Sequence, residues 1–369
     1  MGKGIYLGVG GKARKVKKMY VGVGSRARKV KKAYIGVGGV ARPCFSGGEL
    51  VYYGTATPLS ISGYMSAAAV GNYALFCNYQ NNVVESYDNN LSKNTAASIT
   101  YSHDNEEPDA LSFSRYVLFR AGDDSSSDGY IHLYAYTETL TYTEKKTTGN
   151  GYGGSATAAV GSYALFGGGC WRSTYYDTVH AYNSSLALTT PTSLSKPRSE
   201  LAGTSIGNYA LFAGGYDGSV FRNTVDAYDT SLTRTTPTIL SRARKNLAAA
   251  SVGDYALFAG GRNSNTPRET VDAYNKSLVQ STPITLGNAR WELAGTSIGN
   301  YALFGGGAPY SGYFADVDVY DITLTHSITT ELSLARKRLA VAVVGNYALF
   351  GGGVSADGDS GVVDAYMID

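Results

Sequence analysis

One strand-like stretch recurs seven times along this chain of 369 residues, and no other feature restricts its fold as strongly. Residues 344–353 read VGNYALFGGG, and residues 298–307 read IGNYALFGGG. The tyrosines that mark the copies are Tyr73, Tyr116, Tyr163, Tyr209, Tyr255, Tyr301 and Tyr347. A second mark of the form V-D-A-Y follows each copy and ends at Tyr87, Tyr136, Tyr182, Tyr228, Tyr274, Tyr320 or Tyr366. A repeat of this length indicates a solenoid, an array or a propeller.

The repeat unit contains signals for strands and none for helices. In the copy that spans 241–281, residues 247–252 are rich in small side chains and residues 255–258 are apolar and aromatic. Residues 270–274 alternate between apolar and polar side chains and precede a Thr-rich run. Gly, Asn and Ser punctuate these segments, as expected between strands. No window of twelve or more residues in the sequence shows the period of an amphipathic helix. Four antiparallel strands per unit predict an all-β, seven-bladed β-propeller.

The two ends of the sequence predict how the ring closes. The last copy stops at Asp369, directly after its third strand, and so lacks the Thr-rich fourth strand. Residues 54–60 (GTATPLS) resemble residues 189–195 (TTPTSLS), which form the fourth strand of an internal copy. We therefore expect residues 50–59 to pair with the strand that contains residues 362–366. Such closure would leave no open sheet edge between the first and last blades.

The pattern of each unit resembles the kelch-repeat family over residues 49–369. An apolar run ends in Gly-Gly, a V-x-x-Y strand follows, and an arginine leads into the next unit. The kelch tryptophan after that tyrosine is absent, because Trp171 and Trp291 lie elsewhere. The resemblance implies a propeller.

The charge of the chain is divided sharply between two segments. Residues 1–48 hold twelve of the 32 Lys and Arg residues and no acid, which leaves 20 bases against 29 acids in the remainder. Such asymmetry suggests that the charged end has an attachment role. We therefore divide the chain into an attachment segment at 1–44 and a propeller at 45–369.

The attachment segment has its own repeat of fourteen residues. Y-x-G-V-G stretches begin at Tyr6, Tyr20 and Tyr34 and alternate with A-R-K-V-K-K runs. Glycine-containing turns at 10–11, 24–25 and 38–39 predict a small basic β-meander. Like charges that face each other across strands are unfavourable, so we expect this segment to fold in an oligomer or against an acidic partner.

These basic repeats resemble stretches in tail and other structural proteins of phages and prophages of Gram-positive bacteria. The resemblance implies a virion protein, assembled in the cytoplasm of the bacterial host, with one end in contact with other virion proteins. The residues expected to anchor it are Lys17, Lys18, Lys31 and Lys32.

Two sets of loops are predicted to share one face of the propeller and to form a ligand site. Loops between the fourth strand and the next blade carry the arginine series Arg198, Arg244, Arg290 and Arg336. Loops between the second and third strands carry Trp171, Tyr175, Tyr176, Tyr216, Phe221, Tyr310, Tyr313 and Phe314. Aromatic faces and guanidinium groups suit sugars or acidic groups. The alternatives are ion pairs of the arginines with Asp226, Asp272, Asp318 or Glu200, and simple packing of the aromatics within their loops.

Several other functions find little support in the sequence. The segment that contains Asp124, Ser126 and Asp128 has the ligand spacing of a calcium loop but lacks the distal glutamate, and no other metal motif or cofactor is expected. The four histidines occupy unrelated repeat positions, and no nucleophile elbow or phosphate loop occurs in the sequence, so we expect no enzyme. The three cysteines show no metal-ligand spacing and are expected to be free thiols. A sequence without a stretch of eighteen apolar residues predicts no membrane insertion.

Two functions from different classes remain. In the first, a phage tail or fibre protein uses the propeller to bind a glycan or protein on the bacterial surface. In the second, the chain is a structural decoration or collar component without receptor binding. Binding of nucleic acid by the basic segment is a weaker third possibility, because aromatic side chains arranged to stack on bases are missing apart from the repeated tyrosine.

Overall fold

A computed structural model describes residues 48–78, 83–99, 108–123, 130–148 and 153–369, together with the backbone of six strands between residues 6 and 46. Contacts divide the chain into two compact units, of which the second spans Tyr52–Tyr366. The first contains Met1–Val51 and Met367–Asp369. The described residues form strands and no helix. The chain is a seven-bladed β-propeller, as the repeat predicts.

Each blade is a four-stranded antiparallel sheet. The innermost strands of blades 1 to 7 are Met65–Val70, Asp109–Phe113, Ala156–Val160, Ala202–Ile206, Ala248–Val252, Ala294–Ile298 and Ala340–Val344. The second strands are Tyr73–Asn78, Tyr116–Asp123, Tyr163–Gly167, Tyr209–Ala213, Tyr255–Ala259, Tyr301–Gly305 and Tyr347–Gly351. The third strands are Val84–Asp88, Tyr130–Tyr136, Val179–Asn183, Val225–Asp229, Val271–Asn275, Val317–Asp321 and Val363–Ile368. The fourth strands are Lys93–Thr95, Tyr142–Thr148, Leu188–Thr189, Arg234–Thr235, Gln280–Ser281, His326–Ile328 and, for blade 7, Leu50–Thr55.

Where these loops are fully described, in blades 3 to 7, three blades carry an additional two-stranded hairpin between their second and third strands. Cys170–Trp171 pairs with Thr174–Tyr175 in blade 3. Arg262–Asn263 pairs with Thr266–Pro267 in blade 5. Val354–Ser355 pairs with Gly358–Asp359 in blade 7. The loops that differ between repeats therefore also differ in local structure.

The expected closure of the ring is confirmed. The sheet of blade 7 takes its outer strand from the N-terminal side of the propeller. Beyond that strand, Ala56 N–H donates to Val363 O at 2.9 Å, and Leu59 N–H donates to Gly361 O at 2.8 Å. The Tyr52 hydroxyl donates to Asp364 at 2.7 Å. Segments from the two ends of the sequence thus build one blade.

Small residues let the innermost strands approach each other around a central channel. These strands contact their counterparts in the neighbouring blades. A Cβ atom at Gly295 of blade 6 would lie 2.7 Å from the carbonyl oxygen of Ala249 in blade 5, so a side chain there would force the two strands apart. The preference of this strand for Ala, Gly, Ser and Thr follows from that close contact.

The hydrophobic core lies between adjacent blades. One cluster joins Leu211 and Val225 of blade 4 to Phe258 and Tyr274 of blade 5. The tyrosine of the V-D-A-Y mark meets the phenylalanine of the second strand nearly edge to face, with centroids 5.6–6.0 Å apart, in all seven blades. Such pairs contribute about 0.5–1.5 kcal/mol beyond the area they bury.

The basic segment forms three hairpins, each a separate two-stranded sheet. The pairs are Tyr6–Val9 with Lys12–Lys15, Tyr20–Val23 with Arg26–Lys29, and Lys32–Val37 with Val40–Ser46. Two residues separate the strands of each pair, at the positions where the sequence predicts glycine-containing turns.

Candidate functional site

Two sets of loops lie side by side on one face of the propeller, which we call the loop face. One set enters each blade ahead of its innermost strand, and the other joins the second strand to the third. Antiparallel bridges connect the two sets, as between Ser199 and Tyr216 in blade 4 and between Lys245 and Arg262 in blade 5. The loops that vary between repeats therefore adjoin the loops that lead into the channel.

The arginine series is completely buried beneath this face. Arg198, Arg244, Arg290 and Arg336 each have 0% of their surface exposed. Each guanidinium lies 2.5–2.8 Å from an aspartate of the third strand, in the pairs Arg198–Asp226, Arg244–Asp272, Arg290–Asp318 and Arg336–Asp364. The same groups donate to main-chain carbonyl oxygens of the second strand.

This burial corrects the expectation that the arginines bind a ligand. A guanidinium with no exposed surface and an aspartate beside it has no face left for a ligand, so the alternative of an ion pair holds. Each pair fastens the incoming loop to the blade that it enters. Glu200 is not the partner of Arg198, although the sequence allowed that pairing.

Three of the predicted aromatic residues form a cluster between blades 3 and 4. The ring centroids of Tyr175 and Tyr216 are 5.9 Å apart at an interplanar angle of 88°. Phe221 packs against Tyr216 with a centroid distance of 4.9 Å. Lys245 Nζ lies 4.9 Å from the centre of the Tyr216 ring. All three rings are partly exposed, and we call Tyr175, Tyr216 and Phe221 the aromatic cluster.

The other predicted aromatic residues occupy different surroundings. The Arg172 guanidinium stacks on Trp171 at 4.5 Å. Tyr310 of blade 6 is 72% exposed. Tyr176, Tyr313 and Phe314 are half-buried. The aromatic cluster is thus the part of the predicted set in which three rings are seen to pack on one another.

A series of main-chain hydrogen bonds runs along the entrance of the channel through blades 3 to 7. Its members hold the same place in blades 3 to 7: Gly154, Glu200, Asn246, Glu292 and Arg338. The N–H of each of the last four donates to the carbonyl oxygen of the preceding member at 2.7–3.1 Å. All five have φ between 53° and 65°, a region that residues other than glycine seldom adopt. We call these five residues the mouth ring.

The side chains of the mouth ring continue into a polar network. Lys245 Nζ donates to Glu200 Oε2 at 2.5 Å, and Asn246 Nδ2 donates to Glu200 Oε1 at 3.0 Å. Arg262 Nε donates to Asn246 Oδ1 at 3.2 Å. Because Lys245 also lies over Tyr216, this network reaches the aromatic cluster.

Glu292 is the most deeply buried carboxylate of the mouth ring. Lys337 Nζ lies 2.8 Å from its Oε2, and an Arg338 nitrogen lies 2.6 Å from its Oε1. Burial acts to raise the pKa of Glu292, but the hydrogen bonds and charges of Arg338 and Lys337 outweigh it, so the pKa falls below its usual value. The carboxylate is therefore ionised at neutral pH. Arg338 stacks in turn on Tyr64 at 4.5 Å.

The mouth ring borders an open cavity of about 590 Å³, which we call the mouth cavity. This volume lies within the range of about 300–1,000 Å³ that is typical of ligand pockets. The apolar side chains along its wall are Met65, Leu201, Leu247, Leu293 and Leu339. Tyr64 and Tyr175 also line it. An apolar surface with a few convergent polar groups is the usual composition of a binding site.

The sequence contained a signal for the mouth ring that motif reasoning missed. The four incoming loops read R-S-E-L, R-K-N-L, R-W-E-L and R-K-R-L, beginning at Arg198, Arg244, Arg290 and Arg336. The third letter of these tetrapeptides varies between glutamate, asparagine and arginine while the outer letters stay fixed. A variable polar residue held between two invariant structural residues is a candidate for recognition.

Two further predictions fall outside the described residues. The calcium loop at Asp124, Ser126 and Asp128 is one of them. The anchor residues are the other: Lys17, Lys18 and Lys31 are not described, and Lys32 belongs to a strand of which only the backbone is described. Among the described residues, no group of three His, Cys, Asp or Glu side chains could hold a metal ion. None of the described residues belongs to a helix long and apolar enough to cross a membrane.

Comparison with known proteins places the fold and leaves the function open. No family model matches the sequence, and no curated protein matches it either. Among solved structures, 589 chains match. One of these, titled "Structure of YjhT", is a propeller that matches with a TM-score of 0.56 and 12% identity over 84% of this chain and 95% of its own. Because propellers carry many unrelated functions, such likeness supports the fold alone.

Proposed function

We propose that this chain is an attachment protein of a bacteriophage particle. The propeller binds a glycan or protein on the surface of the bacterial host through its loop face. Residues 1–44 connect the propeller to other proteins of the particle, where the chain is oligomeric. The chain acts by binding and has no catalytic role.

The observation that carries this proposal is the position of the aromatic cluster. Tyr175 lines the mouth cavity and also contacts Tyr216, so the partly exposed rings and the cavity form one continuous surface. The loops that supply these rings differ between repeats, whereas the strands beneath them are nearly identical. Exposed aromatic rings favour stacking on sugar rings or on apolar side chains.

Two resemblances support the biological setting. The repeats of residues 3–42 resemble those of phage tail and structural proteins, and the repeats of residues 49–369 resemble kelch propellers. A basic segment joined to an acidic propeller suits a protein with one end in an assembly and the other on display.

The binding half of the proposal is tested by a pull-down of purified propeller on cell walls of candidate hosts. Replacing Tyr216 with Ala removes the central ring of the aromatic cluster. We expect binding to weaken by about 1 kcal/mol or more for each ring that no longer stacks on the ligand. The matched control is Tyr53→Ala, which removes an exposed ring from the outer strand of blade 7, outside the predicted ligand site. Equal binding by wild type and Tyr216→Ala, or no binding to any host, would favour a structural decoration or collar component.

The anchoring half is tested by charge reversal. Replacing Lys17, Lys18, Lys31 and Lys32 with Glu turns the most basic runs acidic, and we expect the variant to be absent from assembled particles. Its propeller should keep the melting temperature of the wild type. Normal incorporation of the variant would show that the particle holds this chain by another surface.

A further inference from the structure

Gly154 is the member of the mouth ring that carries no side chain. Glu200, Asn246, Glu292 and Arg338 each project a polar side chain from the same left-handed backbone position. The loop of blade 3 reads Y-G-G-S at 152–155, where blades 4 to 7 place an arginine-containing tetrapeptide. The five members are therefore joined through their backbones, and blade 3 is the one of these five blades that adds no side chain at this position.

Two cavities adjoin each other at Gly154. The mouth cavity and a second cavity of about 310 Å³ are both lined by Gly154, Ser155 and Leu201. The second cavity, which we call the channel cavity, is lined further by innermost-strand residues that include Asp109, Thr157 and Gly203. The mouth cavity on the loop face therefore adjoins the channel cavity at Gly154.

The wall of the channel cavity holds a fixed group of polar side chains. Arg120 is 3% exposed and donates to Asp109 Oδ2 through Nε at 3.2 Å and through a terminal nitrogen at 2.7 Å. It also donates to Ser155 Oγ at 2.6 Å, and the Ser155 hydroxyl in turn donates to Asp109. The geometry of Asp109 and Ser155 is thereby set before any ligand arrives, which lowers the entropic cost of binding.

Charge compensation around these cavities favours a neutral ligand. Asp109 is paired with Arg120, Glu200 with Lys245, and Glu292 with both Lys337 and Arg338. The cavities therefore present hydrogen-bonding groups without a large excess of either charge. Hydroxyl groups both donate and accept, so a polyhydroxylated ring suits such a wall, while its apolar face suits the leucines and Tyr175.

We propose that the propeller binds a neutral surface glycan by its chain end, with the terminal sugar inserted past Gly154 into the central channel and the following sugars lying on the aromatic cluster. This inference rests on the proposed attachment function and specifies its ligand. Recognition of a chain end differs from recognition along a chain, because the number of sites then follows the number of ends.

The first test adds a side chain at Gly154. Gly154→Asn adds the side chain that blade 5 already carries at Asn246 with φ of 53°, so the backbone accommodates it. A Cβ atom at Gly154 would lie 3.2 Å from the Glu200 nitrogen, which is a tight contact rather than a clash. The matched control is Gly207→Asn, a glycine with φ of 58° in the turn between the first two strands of blade 4. We expect Gly154→Asn to bind neutral wall polysaccharide about tenfold more weakly and the control to bind normally.

The second test uses the wild-type protein and does not depend on any variant. Neutral wall polysaccharide is partially hydrolysed, and fragments of decreasing length compete with intact walls at equal mass. Chain-end recognition predicts that inhibition rises as the fragments shorten, because each unit of mass then carries more ends. Recognition along the chain predicts that inhibition falls, because short fragments no longer span the surface.

The outcomes separate this inference from the proposed function. Binding of walls by the wild type, together with normal binding by Gly154→Asn or weaker inhibition by shorter fragments, overturns chain-end recognition and leaves the attachment function standing. If the wild type binds no wall, both proposals fail. Should Gly154→Asn not fold, the fragment competition alone decides.

Discussion

Blades 4 to 7 differ from blades 1 and 3 in the side chain at the aspartate position of the third strand and in its partner. In the first group, a fully buried arginine from the incoming loop pairs with an aspartate of the third strand. In blade 1 the aspartate position holds Glu85, which accepts from Ser60 N–H at 2.7 Å and pairs with Lys93. In blade 3 the same position holds His180, which lies 3.3 Å from Arg120 of blade 2.

The difference separates blades that share one structural ion pair from blades with other residues at the aspartate position. Blades 4 to 7 repeat the arginine pair, and each of them carries a side chain at its mouth-ring position. Blade 3 has neither that arginine nor a side chain at Gly154, and the two cavities meet at this point. We expect substitutions in blades 4 to 7 to lower the stability of the propeller, and substitutions in blade 3 to weaken ligand binding.

The largest effect should come from blade 7, which shares the arginine pair but borrows its outer strand. Deleting residues 1–60 removes Leu50–Thr55 together with the buried Leu59, and leaves the strand Val363–Ile368 as an open edge. An unpaired edge promotes aggregation, so this deletion should give an unfolded or aggregated protein. The shorter deletion of residues 1–44 is the control and should leave a soluble, monomeric propeller. Closure by this strand would be disproved if the longer deletion melted like the intact protein, as measured by circular dichroism.

The next effect tests the arginine pair in a regular blade. Arg244→Met leaves the Asp272 carboxylate in a fully buried site without its cation, at an expected cost of about 3–5 kcal/mol. The double variant Arg244→Met with Asp272→Leu should recover most of this stability, because no charge then stays buried. Arg234→Met is the matched control: its guanidinium lies 3.7 Å from Asp226 and is 26% exposed, so the destabilisation should stay within about 1 kcal/mol. Urea unfolding measures all three, and a destabilisation by Arg244→Met no larger than that of the control would refute the comparison.

A smaller effect distinguishes blade 3 by its pH dependence. Burial, followed by the charge of Arg120, lowers the pKa of His180 to about 4. The unfolded chain takes up this proton near pH 6.5, whereas the folded chain resists it until pH 4. Above pH 6.5, His180 therefore does not lower the free energy of unfolding. As the pH falls below 6.5 this free energy decreases, and the loss amounts to at most about 3 kcal/mol near pH 4.

The variant His180→Asn lacks this proton and should lose less stability over the same interval. The measurement is the free energy of unfolding in urea at pH 7 and at pH 4 for both proteins. Because the carboxylates titrate in both, the difference between the two proteins isolates His180. Parallel pH profiles would show that blade 3 does not hold a buried neutral histidine.

The smallest effect compares one tyrosine in each group of blades. The Tyr274 hydroxyl of blade 5 donates to Thr238 O at 2.7 Å. The Tyr182 hydroxyl of blade 3 is buried beside Thr147 and, within the described part of the chain, lacks the main-chain acceptor that Tyr274 has. Tyr274→Phe should cost about 1 kcal/mol, and Tyr182→Phe should be neutral or slightly stabilising. Equal destabilisation in thermal unfolding would mean that blade 3 satisfies this hydroxyl as the regular blades do.

Much of the fold could be predicted from the sequence because the repeat reports it seven times. The Y-A-L-F strand, the V-D-A-Y strand and the similarity of residues 54–60 to residues 189–195 predicted the blade, the number of blades and the closure. The site was predicted only in part. The loop face and the aromatic residues Tyr175, Tyr216 and Phe221 followed from variation between repeats, whereas the arginine series was misplaced. An invariant arginine has the same sequence pattern whether it is buried against an aspartate or exposed to a ligand.

The sequence by itself determined the architecture, since periodicity and alternation are local properties that every copy repeats. Only the tertiary structure decided which polar residues are buried and which line a cavity. Glu200 and Arg198 are two positions apart, yet one lies on the mouth ring and the other has no exposed surface. The reason is that exposure depends on the blades that pack on either side, and residues such as Gly154, Leu201 and Asp109 meet around one channel only after the ring has closed.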